Sequence, residues 1–289
     1  MATDSIDDMY SGCRSEAAAK IHELGVFEWH VNKNFSHAWA LVEQKANKPA
    51  HKDLEEDHAT AIYMHTNNEL QDLQHAFNKA VKTKKHKYGT YGFKYHYLYF
   101  YLSDAIRVLR ANGTLCMTTY HRSNASFDQN VLANNMRFGS FILTSSSRDS
   151  LDSSASVSCF EIYTCFGAEI THYSATDREG QVLIPPNPPY EVFNVADVRH
   201  SGDQRCRVVY TLRSSNVPRS TTNCALKKMP RTFSWDQHGV SLGITLAGLV
   251  LLTLSSAVLI RRRQQMFVAA VLGALLVLLV IVAICTMNS

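Results

Sequence analysis

No two cysteines in this 289-residue chain stand in a Cys-x-x-Cys spacing, and no two histidines in His-x-x-x-His. A zinc site is therefore not supported, because such sites draw paired ligands from short spacings of that kind, and no metal is expected. Charge is scarce too: 29 Lys and Arg against 25 Asp and Glu leave a net charge of +4. Three of those charges are Arg261, Arg262 and Arg263, so the remainder is close to neutral. The run from Lys82 to Lys87 reads as a solvated helix end. With no broad basic face, nucleic acid is excluded as a partner. There is no internal repeat. Met1–Ser5 is polar and acidic, unlike the basic and then apolar start of a secretory leader. The expectation is that the sequence is incomplete at its start; the alternative is that an apolar run near the other end is the only targeting signal.

Two long apolar runs lie near the other end. Val240–Ile260 and Met266–Cys285 each reach about the 20 residues that a membrane-spanning helix needs, and neither carries a charge. They read as two transmembrane helices joined by the basic loop 261–265 and preceded by a stalk, 227–239. Orientation by basic residues is even, with Arg261, Arg262 and Arg263 against Lys227, Lys228 and Arg231. Six cysteines outside the apolar runs and sequons at Asn34, Asn112 and Asn124 decide it. They point to an oxidising compartment, a glycoprotein, and a soluble part outside the cell or in a lumen. Six cysteines allow fifteen full pairings.

The first hundred or so residues read as helical. Ser15–Gly25 has a serine near its start and a glycine at its end. A second helix starts at Ser36. In a third, Leu70, Leu73, Phe77 and Ala80 repeat along one face, and a fourth runs from Tyr95 to Ala111. After Gly113 the pattern turns to strands: 115–120, 138–144, 157–165, 169–173, 181–184, 191–195 and 205–212. Helices first and strands afterwards predict an α+β domain.

The most informative stretch is Asp177-Arg178-Glu179-Gly180-Gln181-Val182-Leu183-Ile184-Pro185-Pro186. It follows Tyr120-His121-Arg122-Ser123, Arg137-Phe138-Gly139-Ser140-Phe141 and Ser145-Ser146-Ser147. Together these resemble the arginine, serine and Glu-x-Glu signature of vertebrate arginine-specific mono-ADP-ribosyltransferases. The likeness covers most of 7–226, from Asp7-Asp8-Met9-Tyr10 through Cys159–Ala168 to Asn223-Cys224-Ala225-Leu226. It implies N-terminal helices packed on a core of two roughly perpendicular sheets, with an NAD cleft between them. It implies transfer of ADP-ribose from NAD or NADP to arginine side chains of other proteins, with release of nicotinamide. The alternative is a catalytically inactive, membrane-tethered protein that keeps the cleft and acts through surface contacts. Simple NAD hydrolysis needs much the same apparatus.

The residue types suit that chemistry. Loss of nicotinamide leaves an oxocarbenium-like ribose carbon, which a nearby carboxylate stabilises. The pyrophosphate suits arginine's planar fork. By resemblance Arg122 holds NAD, and Ser145 supports the nicotinamide ribose. The stretch between Phe141 and Ser145 is about two residues longer than the family pattern, so Ser146 or Ser147 could take that role. Glu179 matches the carboxylate that orients the acceptor arginine, and Gln181 stands where the family has its catalytic glutamate. Period two on a strand would put Glu179 and Gln181 on one face. Glutamine cannot supply the negative charge, and losing one electrostatic stabiliser costs about 3–4 kcal/mol, or a hundredfold or more in rate. Asn187-Pro188-Pro189 is an insert relative to the family. The resemblance also pairs Cys13 with Cys224 and Cys116 with Cys165. The first closure contributes at most roughly 5 kcal/mol in the chain-entropy model. Cys159 and Cys206 are left to pair or to stay reduced and buried.

Overall fold

The computed structural model describes residues 2–111, 116–148, 156–186, 190–197, 206–214 and 220–229. The chain divides into Met1–Pro230 and Arg231–Ser289, and every described residue lies in the first unit. The two apolar runs, the basic loop, most of the expected stalk and the Asn112 sequon lie outside the described residues. Among those described, no helix is long and apolar enough to cross a membrane.

Among the described residues six α-helices come first: α1 (Arg14–Val31), α2 (Lys33–Val42), α3 (Glu56–Thr66), α4 (Gln71–Thr83), α5 (Lys85–Tyr88) and α6 (His96–Ala111). Helix α1 does not stop at Gly25 as expected. That glycine permits close approach instead: a Cβ there would lie 2.6 Å from the ring of Tyr97 on α6. The helix buries Ala17, Ile21, Leu24 and Glu28, a stripe at three- and four-residue steps. It ends at Asn32, whose side chain accepts from the N–H of Phe35 at 3.4 Å and so starts α2. Helix α3 carries no readable stripe, because it is buried on most sides: His58, Ala59, Thr60, Ala61, Ile62, Met64, His65 and Thr66 are all inside. Polar residues at core positions hid it.

Eight strands follow among the described residues: β1 (Met117–Ser123), β2 (Asn135–Met136), β3 (Ile142–Ser145), β4 (Ser156–Thr164), β5 (Ala168–Glu169), β6 (Gln181–Ile184), β7 (Tyr190–Asp197) and β8 (Cys206–Ser214). They are hydrogen-bonded in the order β2-β7-β8-β4-β1-β3-β6-β5. The expected two sheets are thus linked into one. The link is thin, since β1 pairs with β4 from Met117 to Ser123 but meets β3 only at Tyr120↔Ser145. One apolar core joins the helices to Phe141, Ala168 and Leu183. The other lies among strands, with Phe160, Ile162, Val182, Ile184, Val208, Tyr210 and Leu212.

The N-terminal segment is knotted to residues 220–225. The buried Asp7 carboxylate accepts from the N–H groups of Thr221 (2.9 Å) and Thr222 (2.8 Å) and pairs with Arg137 at 2.9 Å. Burial would raise its pKa, but these threonine hydrogen bonds lower it on balance. Cys13–Cys224 closes the same junction. The structure also contains Cys116–Cys165 and Cys159–Cys206, which decides the pair left open by the sequence.

Candidate active site

Strand register brings three of the four expected site residues onto one connected face. Ser145 is the cross-strand partner of Tyr120 on one side and of Gln181 on the other. Arg122 lies two residues beyond Tyr120 and so projects to the same side of β1. Glu161 on β4 stands opposite Tyr120 and pairs with Arg148 at 3.6 Å. The Arg148 guanidinium lies 5.6 Å from the centre of the Tyr120 ring. This face therefore carries cations, hydroxyls and a carboxylate together.

Glu179 departs from expectation. Strand β6 begins at Gln181, so Glu179 sits in the preceding turn, and strand alternation does not apply to it. It is exposed, as are Asp177 and Arg178. The turn is held by Gly180, whose φ of +67° is a left-handed conformation that glycine adopts without strain. Its carbonyl accepts from the N–H of Ser146 at 2.8 Å.

Ser145 and Gln181 are buried, 6% and 3% exposed. The Ser145 hydroxyl accepts from the N–H of Ser147 at 3.1 Å. The Gln181 carboxamide is turned into its own loop. Its nitrogen donates to the carbonyls of Thr176 (3.1 Å) and Arg178 (2.9 Å) and lies 2.7 Å from the Thr176 hydroxyl. Its oxygen accepts from the Ser174 hydroxyl at 2.7 Å. Two of these partners are backbone carbonyls, which carry no proton, so the amide nitrogen must face them.

Sequence reasoning missed His121. It sits on the opposite side of β1 from Arg122, across from Phe160. Its Nδ1 donates to the Leu143 carbonyl at 3.0 Å where β1 and β3 part. Burial lowers its pKa, and that hydrogen bond only partly offsets the effect. A cavity of about 720 Å³ opens on this side, lined by His121, Phe138, Phe160, Tyr210, His65 and Thr66 among others. Arg122, Ser145, Glu179 and Gln181 do not line it. Alternation along Tyr120-His121-Arg122 was the signal that could have found this residue. Ser174 and Thr176, hydroxyls just before the motif, were missed as well. Among the described residues, no group of three or more His, Cys, Asp or Glu could hold a metal ion.

Helices lead into a mixed sheet in which β3 lies between β1 and β6, an α+β arrangement of the kind expected for an ADP-ribosyltransferase. Comparison with known proteins agrees. The family model for NAD:arginine ADP-ribosyltransferase matches residues 1–216. Ecto-ADP-ribosyltransferase 4 of Mus musculus is 32% identical over 247 residues, covering 79% of this chain and 76% of that protein. NAD(P)(+)--arginine ADP-ribosyltransferase 2 of Gallus gallus is 29% identical over 262 residues, 88% and 81% of the two chains. Among solved structures, a mutant of the eukaryotic mono-ADP-ribosyltransferase ART2.2 in complex with NAD superposes with a TM-score of 0.62. It is 26% identical, over 78% of this chain and 96% of that one. This chain belongs to the NAD:arginine ADP-ribosyltransferase family.

Proposed function

We propose that the protein transfers ADP-ribose from NAD or NADP to arginine side chains of other proteins, releasing nicotinamide. The observation that supports this reading is the register Tyr120↔Ser145↔Gln181, with Arg122 two residues beyond Tyr120 on the same strand. In the reaction the glycosidic bond to nicotinamide breaks and the base departs with the bonding electrons. A guanidine nitrogen of the acceptor then attacks the ribose carbon and loses a proton. We assign the pyrophosphate to Arg122, whose fork suits phosphate oxygens. Ser145 supports the nicotinamide ribose. Glu179 is exposed at its turn and meets the incoming acceptor guanidinium. Gln181 stands at the position of the catalytic glutamate without its charge, so turnover is slow, lower by about a hundredfold or more.

The protein is further proposed to be membrane-held, with this domain outside the cell or in a lumen. Relatives named as ecto-enzymes and as GPI-linked support attachment at the cell surface. Two apolar C-terminal runs favour a pair of membrane helices. Asn34 and Asn124 are exposed, as glycosylated asparagines must be. The test is labelled NAD incubated with the full-length protein and an arginine analogue. Label on the analogue supports the assignment, whereas nicotinamide release without labelled analogue replaces it with NAD hydrolysis.

A further inference from the structure

The Gln181 side chain spends its hydrogen-bonding capacity on the loop 174–178. Both amide hydrogens go to that loop, toward Thr176 O, Thr176 Oγ1 and Arg178 O, and the amide oxygen takes the Ser174 hydroxyl. The backbone of Gln181 is fixed too. Its N–H donates to Thr171 Oγ1 at 3.1 Å, and its carbonyl accepts from Ile170 at 2.9 Å. The loop is anchored to helix α3, where the N–H of Ala175 donates to Thr66 Oγ1 at 2.9 Å. At its other end Gly180 is tied to Ser146. Only the tip, Asp177–Glu179, is exposed between these anchors.

We propose that Gln181 is a positioning residue, whose carboxamide clamps the 174–180 turn and thereby fixes where Glu179 meets the acceptor. The functional half of this inference rests on the transferase reading; the clamp itself does not. A glutamate cannot do the same, since a carboxylate has no proton to give the Thr176 and Arg178 carbonyls and would stand against them. Glutamine here is thus matched to its loop, and restoring glutamate alone would release the turn that presents the acceptor.

The Arg178 carbonyl held by Gln181 belongs to the bond that trypsin cuts, Arg178–Glu179, so proteolysis reads the clamp directly. The full-length protein in detergent would be compared with Gln181→Glu and with Gln181→Met, which keeps length and loses both donors. Thr176→Val serves as a milder variant should either fail to fold. Expected is cleavage after Arg178 faster by at least roughly tenfold in each Gln181 variant, as follows from losing one or two ordinary hydrogen bonds. Cleavage at other sites should keep its native rate. In the transfer assay, KM for the arginine analogue should rise while the NAD dissociation constant stays within about twofold, a split that follows from misplacing Glu179 alone. Native-like cleavage at Arg178 in both Gln181 variants would overturn the clamp, as would a loss of NAD affinity with the turn still protected. Faster cleavage with no transfer by any form, the native protein included, would uphold the clamp and remove the transferase reading instead.

Discussion

Removing the Arg122 guanidinium tests where the nucleotide lies. Arg122 shares its face with Tyr120, Ser145 and Glu161, whereas His121 points to the cavity beside Phe138 and Phe160. A hydrogen bond from a charged donor contributes about 1.5–3 kcal/mol, and each 1.4 kcal/mol is a factor of ten. Arg122→Ala should therefore weaken NAD binding by roughly 10- to 100-fold. Arg122→Lys should recover part of that loss, because it keeps the charge and loses the planar fork. The native affinity should also fall with salt, as the Debye length shrinks from about 8 Å at physiological ionic strength to about 3 Å at 1 M. The assay is isothermal titration of NAD into each full-length variant at low and high salt. His121→Ala supplies the opposing arm. If Arg122→Ala binds within about threefold of native and His121→Ala loses binding, the nucleotide occupies the cavity side. The arginine assignment is then refuted.

Three more outcomes are expected. Asp104 is buried and accepts from Arg14 (2.6 Å), His58 (3.0 Å) and Arg107 (2.7 Å). Burial would raise its pKa, but the bonds from His58, Arg14 and Arg107 carry it far below the usual range. Breaking such a cluster typically costs 3–5 kcal/mol, yet Arg14 and Arg107 are partly exposed and can turn to water. Asp104→Ala should lower stability by about 3 kcal/mol in urea, and a loss under about 1 kcal/mol would show that the cluster is idle. His65 is buried, and burial holds its pKa at about 4, below the ordinary 6.5. The unfolded chain then binds the proton first, so stability is fully present above pH 6.5 and falls towards pH 4, by up to about 3 kcal/mol. His65→Leu should flatten that fall relative to native, and an identical pH slope would count against it. Asp8, raised to about 6 by burial, acts in the opposite sense between pH 4 and 6, which is why the comparison must be with native protein. Finally, Cys159–Cys206 closes 47 residues, and its replacement by two serines should cost up to about 4 kcal/mol. An unchanged urea midpoint would mean that the link constrains little.

Much of the α+β order was legible because it rests on local periodicity. Strand β6 was read as Gln181–Ile184 and is found there, and α6 was placed one residue from its start. Apolar spacing and turn residues act over a few positions, and the sequence displays them directly. Helix α3 escaped because a helix covered on most sides has no solvent face to alternate with its core. The motif residues were visible as residue types. Their arrangement was not, since it depends on which strands pair and where each begins. Because β6 starts at Gln181, Glu179 lies off the strand and is exposed in a turn, so alternation does not put the two on one face. The partners of Gln181 were beyond local reach in a different way. Ser174 and Thr176 are near in sequence, but the loop that brings them to the amide is anchored from Ala175 to Thr66, over 109 positions. Composition pointed to disulfides, while Cys159 and Cys206 were joined only once β4 and β8 lay side by side. Local chemistry fixes element type at each position; long-range packing decides which side chains meet, because contacts between distant residues leave no period in the chain.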